Sequence, residues 1–284
     1  WYLKFLKTNQ FNAIRLSFNH QAVLENDAVS LPAESLMSGW DQLPYLGMLV
    51  EFVQQAQAKG LLVVISCGRV SDSIPNGLWY DHSVTEELVL KSWESIASML
   101  CVEWNVIGAD LQNEPYASSW GLGRATDWNA AAERMGNHLH DLCPRWLVLV
   151  EGVGDEPGAK EPAGQFTTDT FFRGENLMGV MATPVHLKEQ SKLVYSPHLF
   201  GPDVIEHDYF EDRHFPENLE ATWQRHFDYI PFKTGQPILV GDIGGQVHGV
   251  YHKERAWFDY VLNYLKEHRI GFFFSGFDPA DARG

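Results

Sequence analysis

The run Leu61-Leu62-Val63-Val64-Ile65-Ser66 is the stretch of this 284-residue sequence that decides the fold. It is an unbroken apolar run, without the alternation of apolar and polar residues that marks a half-exposed strand. Such a run is typical of a strand buried on both faces of a parallel sheet. Residues 43–59 before it have helical spacing, and Gly60 stands where a helix C-cap is expected. The stretch therefore predicts a helix followed by a buried parallel strand.

The same alternation of helical and strand patterns continues along the chain. Strands are predicted at residues 11–16, 61–66, 106–111, 146–150, 193–196, 237–241 and 271–274. Helices are predicted at residues 2–8, 43–59, 84–99, 128–142 and 252–268. Ser83 and Glu86 have the spacing of a capping box at the start of the third helix. This alternation predicts a parallel sheet with right-handed crossovers.

The predicted fold class is α/β, a (β/α)8 TIM barrel formed by residues 1–284 as a single domain. A doubly wound sheet would give a similar pattern, but the glycine-rich phosphate turn that such folds often carry is absent. Seven predicted strands do not close a barrel of eight, so the simplest expectation is a barrel missing its first strand and last helix. The alternative is one strand that the pattern does not reveal. Residues 152–165 are expected to form a long loop over the barrel mouth.

Composition and charge exclude several classes of protein. The sequence is 45% hydrophobic and 20% charged, which fits a globular chain with a large core. Lys and Arg number 21 against 37 Asp and Glu, so the net charge is −16 and polyanions such as nucleic acids would be repelled. No run of apolar residues is long enough to predict a membrane span. The cysteines Cys67, Cys101 and Cys143 indicate neither a disulfide framework nor a CxxC metal spacing.

Ten residues at or just after the predicted strand ends are candidates for the site, since in an α/β barrel these positions converge on the active-site mouth. They are Arg15, Arg69, Asn113, Glu114, Glu151, His198, Phe200, Asp242, Phe277 and Asp278. Glu114 and Asp242 are carboxylates on non-adjacent strands, flanked by Arg, Asn and His, which suits acid–base and nucleophilic chemistry on a glycosidic bond. We interpret Glu151 as a structural partner of a backbone or basic group.

Aromatic residues of the predicted loops, among them Trp120 and Phe172, are candidates for stacking on sugar faces. A metal site is not expected. His138 and His140 are two residues apart on a helix and face away from each other, and the pair His248 and His252 lacks the Glu of a metalloprotease helix. No cofactor is expected either.

The order of these motifs resembles glycoside hydrolase family 5, the cellulase-like (β/α)8 glycosidases, and in particular its endo-β-1,4-glucanase branch. The resemblance covers nearly the whole chain. It is carried by Asn12-Ala13-Ile14-Arg15-Leu16, Leu111-Gln112-Asn113-Glu114-Pro115, Val150-Glu151-Gly152, Tyr195-Ser196-Pro197-His198 and Val240-Gly241-Asp242-Ile243-Gly244-Gly245, with Gly77-Leu78-Trp79-Tyr80 and Ala131-Ala132-Glu133-Arg134 between them.

The resemblance implies a role for each matching residue. Glu114 would be the general acid/base, Asp242 would stand at the nucleophile position, and Asn113 would hold the sugar 2-hydroxyl. Arg15 would orient the nucleophile carboxylate and keep it ionised. The remaining substrate-binding candidates are His198, Phe200, Trp120 and Phe172. The implied reaction is retaining hydrolysis of a β-linked glucan through a glycosyl-enzyme.

The sequence departs from the family pattern at four positions. Asp242 replaces the usual Glu, Gly68 a His, Phe200 a Tyr and Ser275 a Trp. Because Asp is shorter by about one C–C bond, roughly 1.5 Å, we expect the carboxylate gap to widen from ~5–5.5 Å to roughly 6.5–7 Å. Impaired activity follows from these departures.

Two alternatives to an impaired glycosidase remain at this stage. The first is a catalytically inactive glycan-binding protein that has kept the cleft, and the second is an unrelated barrel enzyme. The expected partner is a polysaccharide or oligosaccharide, and the expected state is a monomer. The resemblance suggests a secreted protein, although the sequence begins at Trp1 without a signal peptide.

Overall fold

The computed structural model describes residues 2–28, 40–154, 167–245 and 252–276. Its strands are β1 (Ala13–Asn19), β2 (Leu62–Arg69), β3 (Val106–Asp110), β4 (Leu147–Val150), β5 (Leu193–Tyr195), β6 (His198–Phe200), β7 (Leu239–Gly244) and β8 (Gly271–Phe274). Its helices are α1 (Tyr2–Thr8), α2 (His20–Glu25), α3 (Tyr45–Ala58), α4 (Glu86–Leu100), α5 (Trp128–Leu142), α6 (Asn218–Trp223), α7 (Tyr229–Thr234) and α8 (His252–His268).

The strands pair in parallel, as the alternating pattern predicts. One sheet has the order β1-β2-β3-β4-β5 and the other the order β6-β7-β8. The pairs β1 with β2, β2 with β3, β6 with β7 and β7 with β8 are all parallel. Every predicted strand region contains an observed strand.

An additional strand, β6, follows the predicted strand at residues 193–196. Strand β5 ends at Tyr195, and Pro197 lies between it and β6. Proline has no N–H to donate to a ladder, so strand hydrogen bonding is interrupted there. Most of the predicted loop at residues 152–165, and the site candidates Phe277 and Asp278, lie outside the described residues.

The chain divides into two compact units. The first comprises residues 1–113, 134–148 and 187–192, and the second residues 114–133, 149–186 and 193–284. In the first unit, β2 and α4 supply fully buried side chains such as Val64 and Trp93. In the second, Trp128, Tyr195 and Phe227 are buried to the same degree. The single domain expected from the sequence stays a prediction.

Helix α4 begins later than the capping-box pattern predicts. Its N-cap is Thr85, and the helix starts at Glu86. The side chain of Asp81 accepts hydrogen bonds from the backbone N–H groups of Ser83 and Val84, at 2.7 and 2.8 Å. This local turn competes with the helix for these two residues, which explains why Ser83 is not the cap.

A disulfide in the first unit corrects the expectation from the cysteine positions. Cys101 and Cys143 are bonded, with their Cα atoms 5.8 Å apart and a separation of 42 positions in sequence. Cys67 is a buried free cysteine. The side chain of Arg145, close to the bond, donates to the backbone carbonyl groups of Cys101, Glu103 and Val106. The pairing is a contact between distant segments, which the sequence spacing did not reveal.

A buried network of charged residues lies in the second unit. His226 and Glu175 are both 0% exposed, and His226 Nδ1 lies 2.8 Å from Glu175 Oε1. Asp169 lies 3.4 Å from His226 Nε2 and also contacts Arg225. Burial alone would lower the pKa of His226, but the two carboxylates outweigh it and raise that pKa. Within the described ranges, no helix has the length and apolar character that a membrane span requires.

Candidate active site

The two predicted carboxylates come together with a histidine in the second unit. Glu114, His198 and Asp242 each offer one side-chain nitrogen or oxygen, and these atoms all lie within 4.8 Å of one another. His198 on β6 and Asp242 on β7 are register partners of two parallel strands. Side chains at paired positions lie on the same face of a sheet, which explains why these two residues meet.

The nearest side-chain oxygens of Glu114 and Asp242 lie within 4.8 Å of each other. The gap of roughly 6.5–7 Å expected from the substitution of Asp for Glu is measured between whole carboxyl groups on a backbone fixed in the family's position. That wider gap between the carboxyl groups stays a prediction. The short side chain of Asp242 nevertheless reaches the same site as Glu114.

Glu151, interpreted from the sequence as a structural partner of a backbone or basic group, is a further member of this site. Its side chain is 0% exposed, and its Oε2 accepts the backbone N–H of Glu114 at 2.6 Å. Its Oε1 lies 3.0 Å from Nε2 of His198. The available signal was its position directly after β4, in the row of residues that follow the strands.

Two glycines enclose the His198 ring. A Cβ atom on Gly174 would lie 3.0 Å from both His198 Cγ and Glu151 Oε2, and one on Gly241 would lie 3.0 Å from His198 Nε2. Gly174 has a φ of 84°, a left-handed conformation that favours glycine. Only residues without a side chain allow the backbone to approach the ring so closely.

Glu114 itself has an unusual backbone. Its φ is 49°, in the left-handed region where few residues other than glycine are found. Its side chain is 16% exposed, while that of His198 is 0% exposed. Nδ1 of His198 lies 3.5 Å from Oε1 of Glu114, at the outer limit of a hydrogen bond. The carboxyl group of Glu114 is thus partly exposed to solvent, and it is close to the imidazole ring of His198, which is buried.

Arg15 and Asn113 are close to each other in the first unit. Nη2 of Arg15 donates to Oδ1 of Asn113 at 2.9 Å, and Nε donates to Oδ2 of Asp110 at 2.7 Å. Asp110 is fully buried, and Ser66 also donates to its Oδ2. The buried carboxylate of Asp110 therefore fixes the guanidinium of Arg15, and this guanidinium fixes the side-chain amide of Asn113. The contact of Arg15 with Asp242 that the resemblance implies stays a prediction.

The predicted aromatic binding residues are buried in the second unit. The ring of Phe172 lies 5.6 Å from that of Phe200 and 4.4 Å from that of His207, measured between ring centroids. Phe172 and Phe200 are 2% and 4% exposed. Trp120 is 1% exposed, and its indole N–H donates to the carbonyl of Thr183 at 2.9 Å. The indole of Trp120 is thus almost fully buried, and its role as a sugar platform stays a prediction.

Parallel strands alternating with helices and two close carboxylates at the strand ends define the class of α/β-barrel glycosidases. Comparison with known families agrees, because residues 2–279 match the family described as Cellulase (glycosyl hydrolase family 5). The chain belongs to that family, and the predicted barrel fold and class of glycoside hydrolase are confirmed.

Individual relatives point to the same family. An endoglucanase of Paenibacillus polymyxa is 31% identical over 279 residues, 96% of this chain. The major extracellular endoglucanase of Xanthomonas campestris pv. campestris is 34% identical over 275 residues, 93% of this chain. The chain spans 68% of the first relative and 54% of the second. Neither comparison supports the alternative of an inactive glycan-binding protein.

Solved structures show the same likeness. The catalytic domain of the Xanthomonas endoglucanase has a TM-score of 0.86 at 31% identity, with 99% of this chain and 80% of that chain covered. An endocellulase of Pyrococcus horikoshii, in a complex with cellotetraose, has a TM-score of 0.86 at 29% identity, with 99% and 79% covered. Both similarities extend over nearly the whole of this chain.

Proposed function

We propose that this chain is a retaining endo-glucanase that hydrolyses internal β-1,4 bonds of a glucan, with Glu114 as general acid/base and Asp242 as nucleophile. The observation that carries the proposal is the approach of Glu114, His198 and Asp242 to within 4.8 Å of one another. Two carboxylates at this separation have room for direct attack on an anomeric carbon. The endoglucanase and endocellulase relatives support the choice of a β-linked glucan.

In the first step, the Asp242 carboxylate attacks the anomeric carbon and forms a glycosyl ester. The carboxyl group of Glu114 gives its proton to the glycosidic oxygen as that bond breaks. The leaving chain departs as an alcohol, so no free alkoxide forms.

In the second step, water attacks the anomeric carbon of the ester. The Glu114 carboxylate, now ionised, takes the proton of that water, and the bond to Asp242 breaks. Two inversions at one carbon give net retention. Asn113, held by Arg15 at 2.9 Å, has an amide available for the sugar 2-hydroxyl, which is its implied role.

We also propose that the enzyme works as a monomer in an oxidising, extracytoplasmic compartment. Disulfides persist in such compartments, and Cys101 and Cys143 form one here. The Xanthomonas relative is described as extracellular. Polysaccharides are also too large to enter a cell before they are cut.

The proposal is tested by the configuration of the first product. A proton NMR spectrum taken at once after the enzyme is mixed with cellopentaose should show the β-anomer before mutarotation. Glu114→Gln should reduce kcat on a soluble β-glucan by about 10²–10⁴-fold, because a general acid contributes that much. The same variant should release the first dinitrophenolate from 2,4-dinitrophenyl β-cellobioside at nearly the wild-type rate, because that leaving group needs no proton, and should then turn over slowly because the second step lacks its base.

The outcomes are distinct. An α-anomer as first product would replace the retaining mechanism with an inverting one. A folded wild-type enzyme that binds cello-oligosaccharides and cleaves neither substrate would be an inactive glycan-binding protein.

A further inference from the structure

We infer that Glu151 is a positioning residue that fixes which ring nitrogen of His198 carries a proton and holds the backbone of Glu114 in its reactive geometry. The inference rests on the acid/base function proposed for Glu114. Glu151 touches neither of the reacting bonds, so it acts through its two neighbours.

The contacts of Glu151 join the two groups. Its Oε2 accepts the Glu114 N–H at 2.6 Å, and its Oε1 lies 3.0 Å from His198 Nε2. Both Glu151 and His198 are 0% exposed. The main-chain carbonyl of Glu151 accepts the indole N–H of Trp128 at 2.9 Å, which ties the residue to the start of α5. Glu151 is therefore fixed from both its main chain and its side chain.

A carboxylate in this position decides the tautomer of His198. An ionised carboxylate only accepts hydrogen bonds, so the nitrogen that faces it must carry the proton. That nitrogen is Nε2, and in a neutral ring the proton on Nε2 leaves Nδ1 as an acceptor. Nδ1 lies 3.5 Å from Glu114 Oε1. The ring therefore presents a lone pair to the carboxyl group that must hold a proton before the first step.

The second contact acts on the Glu114 backbone. With a φ of 49°, Glu114 lies in the left-handed region that a residue with a side chain seldom occupies. Such a conformation persists when surrounding contacts hold it in place. The hydrogen bond from the Glu114 N–H to Oε2 of Glu151 is one of these contacts. Loss of the acceptor would let the peptide relax and move the carboxyl group.

Close backbone packing keeps the His198 ring from reorienting. A Cβ atom on Gly174 or on Gly241 would lie 3.0 Å from atoms of this ring. The backbone of both glycines therefore packs against the ring, and we expect this packing to hold the ring orientation while the partner of Nε2 sets the tautomer.

Glu151→Gln is the informative variant because it keeps the size of the side chain. If its amide oxygen accepts the Glu114 N–H, its NH₂ group faces Nε2 of His198 and forces the proton to Nδ1. If the amide is flipped, the NH₂ group opposes the Glu114 N–H instead. One of the two contacts is lost in either orientation.

The matched control is Glu175→Gln. Glu175 is also 0% exposed, contacts the buried His226 at 2.8 Å and accepts a backbone N–H, that of Phe172, at 2.8 Å. Both substitutions remove a buried charge from a histidine, so both should lower the melting temperature. Only Glu151→Gln should change the catalytic step selectively.

The kinetic test compares two substrates. We expect Glu151→Gln to lower kcat on a soluble β-glucan by about 10²-fold or more, the low end of a general-acid contribution. The burst of dinitrophenolate from 2,4-dinitrophenyl β-cellobioside should slow by less than about tenfold, since that step needs no acid. Glu175→Gln should leave the ratio of the two rates at the wild-type value. Equal losses on both substrates in Glu151→Gln would overturn the inference.

A second measurement does not depend on activity. Nitrogen-15 NMR of histidine-labelled protein should show His198 protonated at Nε2 in the wild type and in Glu151→Asp, and protonated at Nδ1 or exchanging in Glu151→Gln. A wild-type enzyme that cleaves neither substrate would contradict the proposed function, while this spectrum would still test Glu151. An unchanged tautomer in Glu151→Gln, together with an unchanged ratio of the two rates, would refute the positioning role.

Discussion

At the residue scale, Asp242 is the position on which the proposed chemistry most depends. An oxygen of Asp242 lies within 4.8 Å of one from Glu114. The shorter side chain therefore still reaches the acid/base residue, and we expect the local backbone to be matched to its length.

We predict that Asp242→Glu does not raise activity. The extra methylene moves the carboxylate by roughly 1.5 Å, and a displacement of about 1 Å can cost 10²-fold in rate. We expect kcat/KM on a soluble β-glucan to fall by about 10- to 100-fold, and by at least about 10³-fold in Asp242→Asn, where the nucleophile is lost. A gain in kcat for Asp242→Glu would show that the wild-type carboxylates are too far apart.

Gly68 shows why departures from a family pattern cannot be judged one at a time. A Cβ atom at this position would lie 3.0 Å from Cβ and 3.3 Å from Oγ of Ser17. The His that the family has there would require Ser17 to move. The sequence reveals the missing His, but the neighbour on the adjacent strand that fills its place is visible only in the fold.

At the element scale, the apolar runs predicted the strands well and the local polar signals less well. Strand β2 contains the run at residues 62–66, and helices α5 and α8 have the predicted bounds. The start of α4 was misplaced because Asp81 holds residues 83 and 84 in a turn. The spacing of apolar residues reflects the burial of a whole strand or helix, so it predicts these elements well. The N-cap of a helix depends instead on which of several nearby side chains accepts a given backbone N–H.

The site could also be predicted only in part: the positions of its residues after the strands were predictable, but their side-chain contacts were not. The positions of Glu114 and Asp242 after their strands were visible in the sequence, since strand ends converge in this fold. The contact of Glu151 with His198 was not, because it joins residues 47 positions apart whose side chains meet only after the strands have paired. Contacts between side chains that are far apart in sequence leave no periodic pattern in the sequence, so they cannot be predicted from it.

The contribution of the disulfide between Cys101 and Cys143 to stability can be tested by removing it. It closes a separation of 42 residues, which in the chain-entropy account corresponds to about 4 kcal/mol. We expect the double variant Cys101→Ala/Cys143→Ala to lose roughly 2–4 kcal/mol of unfolding free energy in urea titrations and to remain folded. The contacts of Arg145 with the carbonyls of Cys101 and Val106 still join the same segments.

Reduction provides the control for this prediction. A reductant should lower the unfolding free energy of the wild type towards that of the double variant and should leave the double variant unchanged. Equal unfolding free energies for the oxidised wild type and the double variant would show that the bond does not stabilise the fold.

At the scale of the whole molecule, two buried histidines have opposite effects on how the free energy of unfolding depends on pH. Burial lowers the pKa of His20 to about 3, and its Nδ1 lies 2.8 Å from the hydroxyl of Ser92. The carboxylates of Glu175 and Asp169 raise the pKa of His226 against the opposing effect of burial. The first histidine belongs to one compact unit and the second to the other.

The sign of each effect follows from proton counting. Between pH 3 and 6.5 the unfolded chain binds a proton at residue 20 that the folded chain does not, so stability from His20 is lost as pH falls below 6.5. Above the unfolded value of about 6.5, the folded chain keeps a proton on His226 that the unfolded chain releases, so stability from His226 is lost as pH rises through its raised pKa. Together they predict greatest stability near pH 6–7.

We therefore expect His20→Gln to flatten the acid side of a plot of unfolding free energy against pH, and His226→Gln to flatten the alkaline side. Each full proton contributes a slope of about 1.4 kcal/mol per pH unit, and urea titrations at closely spaced pH values measure it. Each variant serves as the control for the other, because it should leave the opposite side unchanged. An acid slope in His20→Gln equal to that of the wild type would assign the acid sensitivity to carboxylates such as Asp169, whose pKa is lowered by its hydrogen bonds to His226 and Arg225.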